Sequence, residues 1–267
     1  MPAPITDIHT HAFPDALADR AMEVLTAAAP GVTAHLDGKV SSLIRSMDRA
    51  GIGRSVICSI ATRPAQFEPI FAWSREIRSD RILPFPSVHP DDPLIVDRIG
   101  EIRDAGFRGI KMHPYYQDFS LDEDRLLPFY TAVSSAGLVL VMHTGFDIAF
   151  PQTRIADPEK ILAVVERFPG LTFVATHLGA WHLWDDVRKY LLGKPIYMEI
   201  SYSLQYLSPE DAREMILAHP EDYVLFGSDS PWEDQAKALE RLRRLDLGSR
   251  REEKILTTNA DRILTAR

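Results

Sequence analysis

The stretch Asp7-Ile8-His9-Thr10-His11 ends the first apolar run of the chain. Strand side chains alternate between two faces, so His9 and His11, two residues apart, point the same way. Two imidazoles converging at a strand end are a natural start for a metal site. Three later apolar runs end in residues of the same kind: Leu138-Val-Leu-Val-Met-His143, Leu171-Thr-Phe-Val-Ala-Thr-His177 and Val224-Leu-Phe-Gly-Ser-Asp229. A fourth, Gly109-Ile-Lys111-Met-His113, ends in a lysine and a histidine on one strand face.

These runs belong to a repeated alternation. Short β-rich segments lie at about 4–9, 54–60, 82–88, 108–113, 138–143, 171–177, 195–201 and 223–228, with amphipathic stretches of helical period between them. Asp157-Pro158 and Ser208-Pro209 put a capping side chain at the N-cap and proline at the first helical position. Gly51, Gly106, Gly137 and Gly170 stand at expected helix stops before strands. Eight near-continuous apolar strands, each followed by a helix, predict a buried parallel sheet closed into a (β/α)8 TIM barrel. The chain has 267 residues, against about 250 for a typical barrel of this kind. No linker or low-complexity tract divides it, so 1–267 reads as one barrel domain. The first connection, 12–53, holds two helical stretches and is expected to cover one end of the barrel. In such barrels the active site lies at the C-terminal ends of the strands, where His9, His11, Lys111, His113, His143, His177 and Asp229 all fall.

Composition excludes several classes. Hydrophobic residues make up 45% of the chain, enough for a large core, and the formal charge of -8 argues against nucleic-acid or anionic-membrane partners. Cys58 is the single cysteine, so no disulfide forms within the chain, and its apolar surroundings read as a buried strand position. No run is long enough to span a bilayer, and Met1-Pro-Ala-Pro-Ile5 carries neither a basic segment nor an apolar leader. A cytoplasmic protein acting on a small molecule is the expectation.

The segments D-I-H-T-H (7–11), M-H-T-G (142–145), T-H-L-G (176–179) and F-G-S-D-S-P-W (226–232), with the closing Asn259-Ala-Asp-Arg262-Ile-Leu264, occur in the order found in a known family. In them the chain resembles the amidohydrolase superfamily. It is most similar to the branch called amidohydrolase family 2, which includes aminocarboxymuconate-semialdehyde decarboxylase and related hydrolases and decarboxylases. The resemblance implies one divalent metal, zinc foremost, held by His9, His11, His143 and Asp229. It implies a catalytic His177 beside the metal, or His177 as ligand to a second ion. It also implies a homodimer, common in the family. In binuclear members of the superfamily a strand-4 lysine is carbamylated and bridges two metals, and Lys111 sits near that place. The alternative for Lys111 is to pair with a carboxylate or to bind an anionic substrate.

The chemistry agrees with that mapping. Three imidazoles and a carboxylate leave room on a divalent ion for water, whose pKa zinc lowers from ~15.7 to about 7. Asp229 would orient that water and accept its proton, and His177 would stabilise a developing oxyanion or donate a proton. Lys111, His113, Glu199 and Trp232 are expected at the substrate, with support of a metal ligand as the other role for Glu199. His89, Tyr115, Tyr116, Phe146 and Trp181 are weaker candidates for the pocket wall, and Arg63 and Arg154 for carboxylate recognition. Hydrolysis of a small ester, lactone or amide is the leading expectation. Non-oxidative decarboxylation of a small unsaturated or aromatic acid is the alternative, because the same metal ligands serve both reactions.

Overall fold

The computed structural model describes residues 4–265. Eight strands run in chain order: β1 (Thr6–Thr10), β2 (Arg54–Cys58), β3 (Ile82–Phe85), β4 (Gly109–Met112), β5 (Val139–Met142), β6 (Thr172–Ala175), β7 (Tyr197–Glu199) and β8 (Val224–Leu225). Between and after them lie α1 (Asp15–Ala28), α2 (Val40–Ala50), α3 (Phe67–Ile77), α4 (Ile95–Asp104), α5 (Leu127–Ala136), α6 (Pro158–Arg167), α7 (Trp184–Tyr190), α8 (Pro209–Ala218), α9 (Gln235–Arg244), α10 (Ser249–Glu253) and α11 (Asn259–Thr265). All eight expected strands form, each somewhat shorter than its apolar run. Asp157 and Ser208 cap α6 and α8 through their side chains, and Gly51 and Gly137 end α2 and α5 in the left-handed conformation. Gly170 stands beyond the helix stop, because α6 already ends at Arg167, with Phe168 as its cap.

Every strand pair is parallel, in the orders β1-β2-β3 and β4-β5-β6-β7-β8. Backbone hydrogen bonds cross both seams between these groups. Lys111 N donates to Pro86 O at 2.9 Å on one side; Ile8 N donates to Phe226 O at 2.9 Å and Asp229 N to His9 O at 2.8 Å on the other. The sheet thereby closes into a TIM barrel. Alternation along the strands divides the core in two. Val139 and Val141 of β5 join Ile8, Val56, Phe85, Val174 and Leu225 inside the barrel, whereas Leu140 and Met142 pack outward with the helices. Ala260, Ile263 and Leu264 of α11 pack with the inner cluster, and Asn259 anchors that helix by donating to Glu221 O and Val224 O. No helix among the described residues is long and apolar enough to cross a membrane.

β1 carries one irregularity that matters for function. From Asp7 to Thr10 it advances three residues while its partner β2 advances two, from Ser55 to Ile57. This is a bulge, which re-aims side chains at the end of a strand. Ile8 therefore fills the barrel interior while His9 turns to the site above it.

After β5 the chain reverses at Gly145, with φ +85°, and a Cβ there would lie 2.0 Å from Trp181 N. Both the left-handed backbone and the close approach require glycine. Gly145→Ala is expected to destabilise the protein by about 3 kcal/mol or more in urea unfolding. A loss below about 1 kcal/mol would show that the Trp181 segment yields.

Candidate metal centre and active-site cavity

Three donor atoms converge above the barrel core. His9 Nε2 and His11 Nε2 lie 3.1 Å apart, and Asp229 Oδ1 lies 3.5 Å from the first and 3.1 Å from the second. Ligands at about 2.0–2.1 Å from a tetrahedral ion stand ~3.3 Å from one another, so these spacings suit a divalent cation. The opposite ring nitrogens settle which tautomers are present. His9 Nδ1 donates to Glu199 Oε1 at 3.0 Å, and His11 Nδ1 donates to Cys58 O at 2.8 Å. Both Nε2 atoms therefore turn lone pairs toward each other and toward a carboxylate, with Lys111 Nζ 3.1 Å from His9 Nε2 as the neighbouring donor, an arrangement that a divalent cation suits. The donor set fits the implied metal.

Glu199 is the hub beneath this centre. It is fully buried and accepts from Ser201 N at 2.6 Å, Ser201 Oγ at 2.7 Å and His177 N at 3.0 Å, besides His9. Gly227 makes room for it, since a Cβ there would stand 2.3 Å from Glu199 Oε2. Glu199, expected at the substrate or in support of a metal ligand, lies behind His9, outside the cavity lining, hydrogen-bonded to His9 Nδ1 and His177 N. Asp7 plays a related part at the β8–β1 seam. Its carboxylate accepts from Ser228 N, Ser228 Oγ and Gln235 Nε2, which ties the start of the Asp229 turn to β1.

His177 and Asp229 both adopt left-handed backbone, with φ +59° and +60°. Strain of this kind concentrates at functional residues, and here it swings each side chain over the barrel mouth. His177 Nδ1 donates to Ser201 O at 3.1 Å, which leaves Nε2 free, 3.2 Å from His143 Nδ1. His143 Nε2 in turn donates to Phe146 O at 3.1 Å. His143 and His177 thus face each other lone pair to lone pair, a contact stabilised by a shared proton or cation. Lys111 Nζ, wholly buried, completes the floor at 3.1 Å from His9 Nε2, and burial holds its pKa below the ordinary lysine range.

His113 makes a different grouping. Its Nε2 stands 3.3 Å from Asp147 Oδ2, and its ring stacks on His143 at 4.0 Å with 12° between planes. Imidazole lone pairs lie in the ring plane, so two nearly parallel stacked rings cannot aim at one ion. The His113–His143–Asp147 cluster is therefore a close His113–Asp147 contact beside a stacked ring, not a second metal centre.

These groups line a cavity of about 740 Å³ that also takes in Tyr116, Phe146, Trp181 and Trp232, and at its mouth Arg20 and Arg63. Neither arginine forms an ion pair with another described residue. Lys111, His113 and Trp232 lie on the cavity as expected. His89 and Tyr115 do not: His89 accepts from Asp91 N and Tyr115 donates to Thr153 O. Arg154 pairs with Asp186 instead of reaching the site. Sequence reading missed Asp147 and Ser201, which carry no motif of their own. It also missed the cavity-facing stripe of α1, whose spacing was visible.

Buried imidazoles set the acid limit of the metal-free protein. Burial, aided by nearby cationic groups, holds His9, His113 and His143 well below the ordinary histidine range, and lowers His89, His182 and His219 as well. As the pH falls through about 6.5, the unfolded chain takes up these protons and the folded chain resists, so stability falls. Burial acts in the opposite sense on carboxyls, pushing Asp7 and Glu233 up to about 7 and raising Glu199. Six imidazoles outweigh three carboxyls. Calorimetry of the metal-free protein is expected to show Tm falling by a few degrees from about pH 6.5 to about 5.5; a Tm that rises would mean the carboxyls dominate.

A family model described as amidohydrolase matches residues 6–265. No curated protein matches the sequence. Among solved structures the chain is similar to an uncharacterized TIM-barrel protein from Bordetella bronchiseptica, at 21% identity over 97% of this chain and 98% of that one, with a TM-score of 0.76. It is also similar to 2,6-dihydroxybenzoate decarboxylase from Rhizobium, at 17% identity over 99% of each chain and a TM-score of 0.68. A third likeness is to 5-carboxyvanillate decarboxylase from Novosphingobium aromaticivorans, solved with bound manganese, at 15% identity over 99% of this chain and 97% of that one, with a TM-score of 0.72.

Proposed function

The chain belongs to the amidohydrolase family and is an enzyme, and from that premise we propose that it is a metal-dependent, non-oxidative decarboxylase of a small unsaturated or aromatic carboxylic acid. The convergence of His9, His11 and Asp229 supports a metal-dependent reaction, and the observation that carries the choice of decarboxylation is the mostly apolar cavity of which they form the floor. A low-dielectric cavity favours loss of a charged carboxylate as neutral carbon dioxide. The likeness to two decarboxylases supports the same choice and moves it ahead of hydrolysis, which sequence reading placed first. The reading takes 1–267 as one barrel domain.

His9, His11 and Asp229 would hold the ion, zinc foremost, with His143 as the further ligand that the family pattern assigns. When bound, the ion supplies Lewis acidity that anchors the substrate's oxygens and lowers the pKa of a coordinated water. Arg20 and Arg63 draw an anionic acid into a protein of net charge -8. The carbon–carbon bond to the carboxyl group breaks, its electron pair stays on the remaining carbon, and a proton must reach that carbon. With His143 Nδ1 given to the ion, His177, whose Nε2 is left free at the cavity, is the group placed to deliver that proton, with Asp229 as its partner in acid–base exchange. Tyr116, Phe146 and Trp232 exclude water from the reacting carbon. Lys111 and His113 bind the acid from the strand-4 side.

The deciding experiment offers the metal-reconstituted protein 2-hydroxybenzoate-type acids and simple lactones side by side. Carbon dioxide release from the acids is expected. Release of a hydroxy acid from a lactone without carbon dioxide would overturn the decarboxylase reading in favour of hydrolysis. His177→Ala should lower kcat by about 10²–10⁴-fold while metal content per chain stays at the wild-type value; loss of the metal would instead make His177 a ligand.

A further inference from the structure

The cavity extends well beyond what a one-ring acid requires. Its volume of about 740 Å³ falls among pockets of about 300–1,000 Å³ that enclose drug-sized ligands. The metal centre occupies only its floor. Above it, Leu17, Ala21, Val24 and Leu25 of α1 face Ile70 and Trp73 of α3 across the mouth.

α1 has one broad apolar face with two flanks. Ala18 and Met22 are buried against the body of the protein. Leu17, Ala21, Val24 and Leu25 follow helical spacing on the outer flank of that face and line the cavity. Leu17 and Val24 are 57% and 58% exposed, and Ile148, on the same cavity, is 42% exposed. They are three of the seven exposed large apolar side chains among the described residues. The buried flank docks the helix, and the exposed outer flank adds nothing to that docking. This outer flank and the metal centre line a single cavity, so a molecule seated at the metal floor can extend along it.

Resting on the decarboxylase reading, we infer that the substrate is an acid bearing an extended apolar substituent, its carboxylate at the metal floor and its apolar portion along the α1–α3 walls. The reaction itself is unchanged; α1 supplies affinity and selection by length.

The test is calorimetric titration of the metal-loaded protein with 2-hydroxybenzoate and its 4-alkyl series from ethyl to octyl. Kd is expected to fall about three- to fourfold for each methylene the outer flank covers, the factor given by ~0.8 kcal/mol per buried CH2. In the double variant Leu17→Asn, Val24→Asn, both at exposed positions, the fall should shrink to below about twofold per methylene. A Kd independent of chain length, or a slope unaltered in the double variant, would overturn the inference. So would sedimentation showing that the variant turns a dimer into a monomer with the slope intact, since a second copy would then own this face. Length-dependent binding with no carbon dioxide from any member would sustain this inference and sink the decarboxylase reading. Carbon dioxide release with a flat series would do the reverse.

Discussion

Asp229→Asn is expected to reduce turnover by about 10²–10⁴-fold, and further if the ion is lost with it. The substitution removes the one anionic donor of the converging trio and the group that exchanges a proton with the site. The fold should survive. Asparagine has nearly the same shape, and asparagine, like aspartate, tolerates the left-handed backbone at this position, φ +60°. The backbone bond from residue 229 N to His9 O, 2.8 Å, needs no side chain. Steady-state kinetics should be read beside metal content per chain and the unfolding midpoint. Near-wild-type turnover with full metal occupancy would remove Asp229 from the mechanism.

Glu199→Gln is expected to weaken metal binding by about 10–100-fold, although Glu199 touches neither the metal donors' converging point nor the cavity. Every group around its carboxylate is a donor: His9 Nδ1, His177 N, Ser201 N and Ser201 Oγ. The glutamine amide nitrogen would meet a donor in that shell, leave a buried group unpaired and cost about 1–3 kcal/mol of stability. It would also release His9 from the tautomer that exposes Nε2. Competition with a metal-sensitive chelator measures the affinity directly. An unchanged metal Kd with a lowered unfolding midpoint would assign Glu199 to stability alone.

The two variants differ in how readily the sequence leads to them. Asp229 ends an apolar run in Phe226-Gly-Ser-Asp229, so its place at the barrel mouth could be read directly from strand period and barrel geometry. Glu199 sits in a run of the same kind, and sequence reading put it at the right end of the right strand. Whether it faced substrate or a ligand depended on side-chain packing that no local pattern reports. His113 shows the same limit. It shares a strand face with Lys111, yet stacking on His143 and pairing with Asp147 turn its ring away from any ion shared with His143.

The sequence by itself determined the barrel, its eight strands and the strand ends at which chemistry gathers. Those features follow from local rules: apolar runs of strand length, helix caps, and the alternation of side chains along a strand. It also marked which residue types stand at each end. Tertiary structure decided how those residues meet. The bulge in β1 lets Ile8 fill the barrel while His9 joins His11. The Glu199 hub orients His9 and His177 from 190 and 22 residues away, and the α1 stripe becomes a cavity wall because it lies across from α3. The physical reason is the same in each case. Register, tautomer and cavity shape are set by contacts between segments distant in the chain, which only barrel closure brings together.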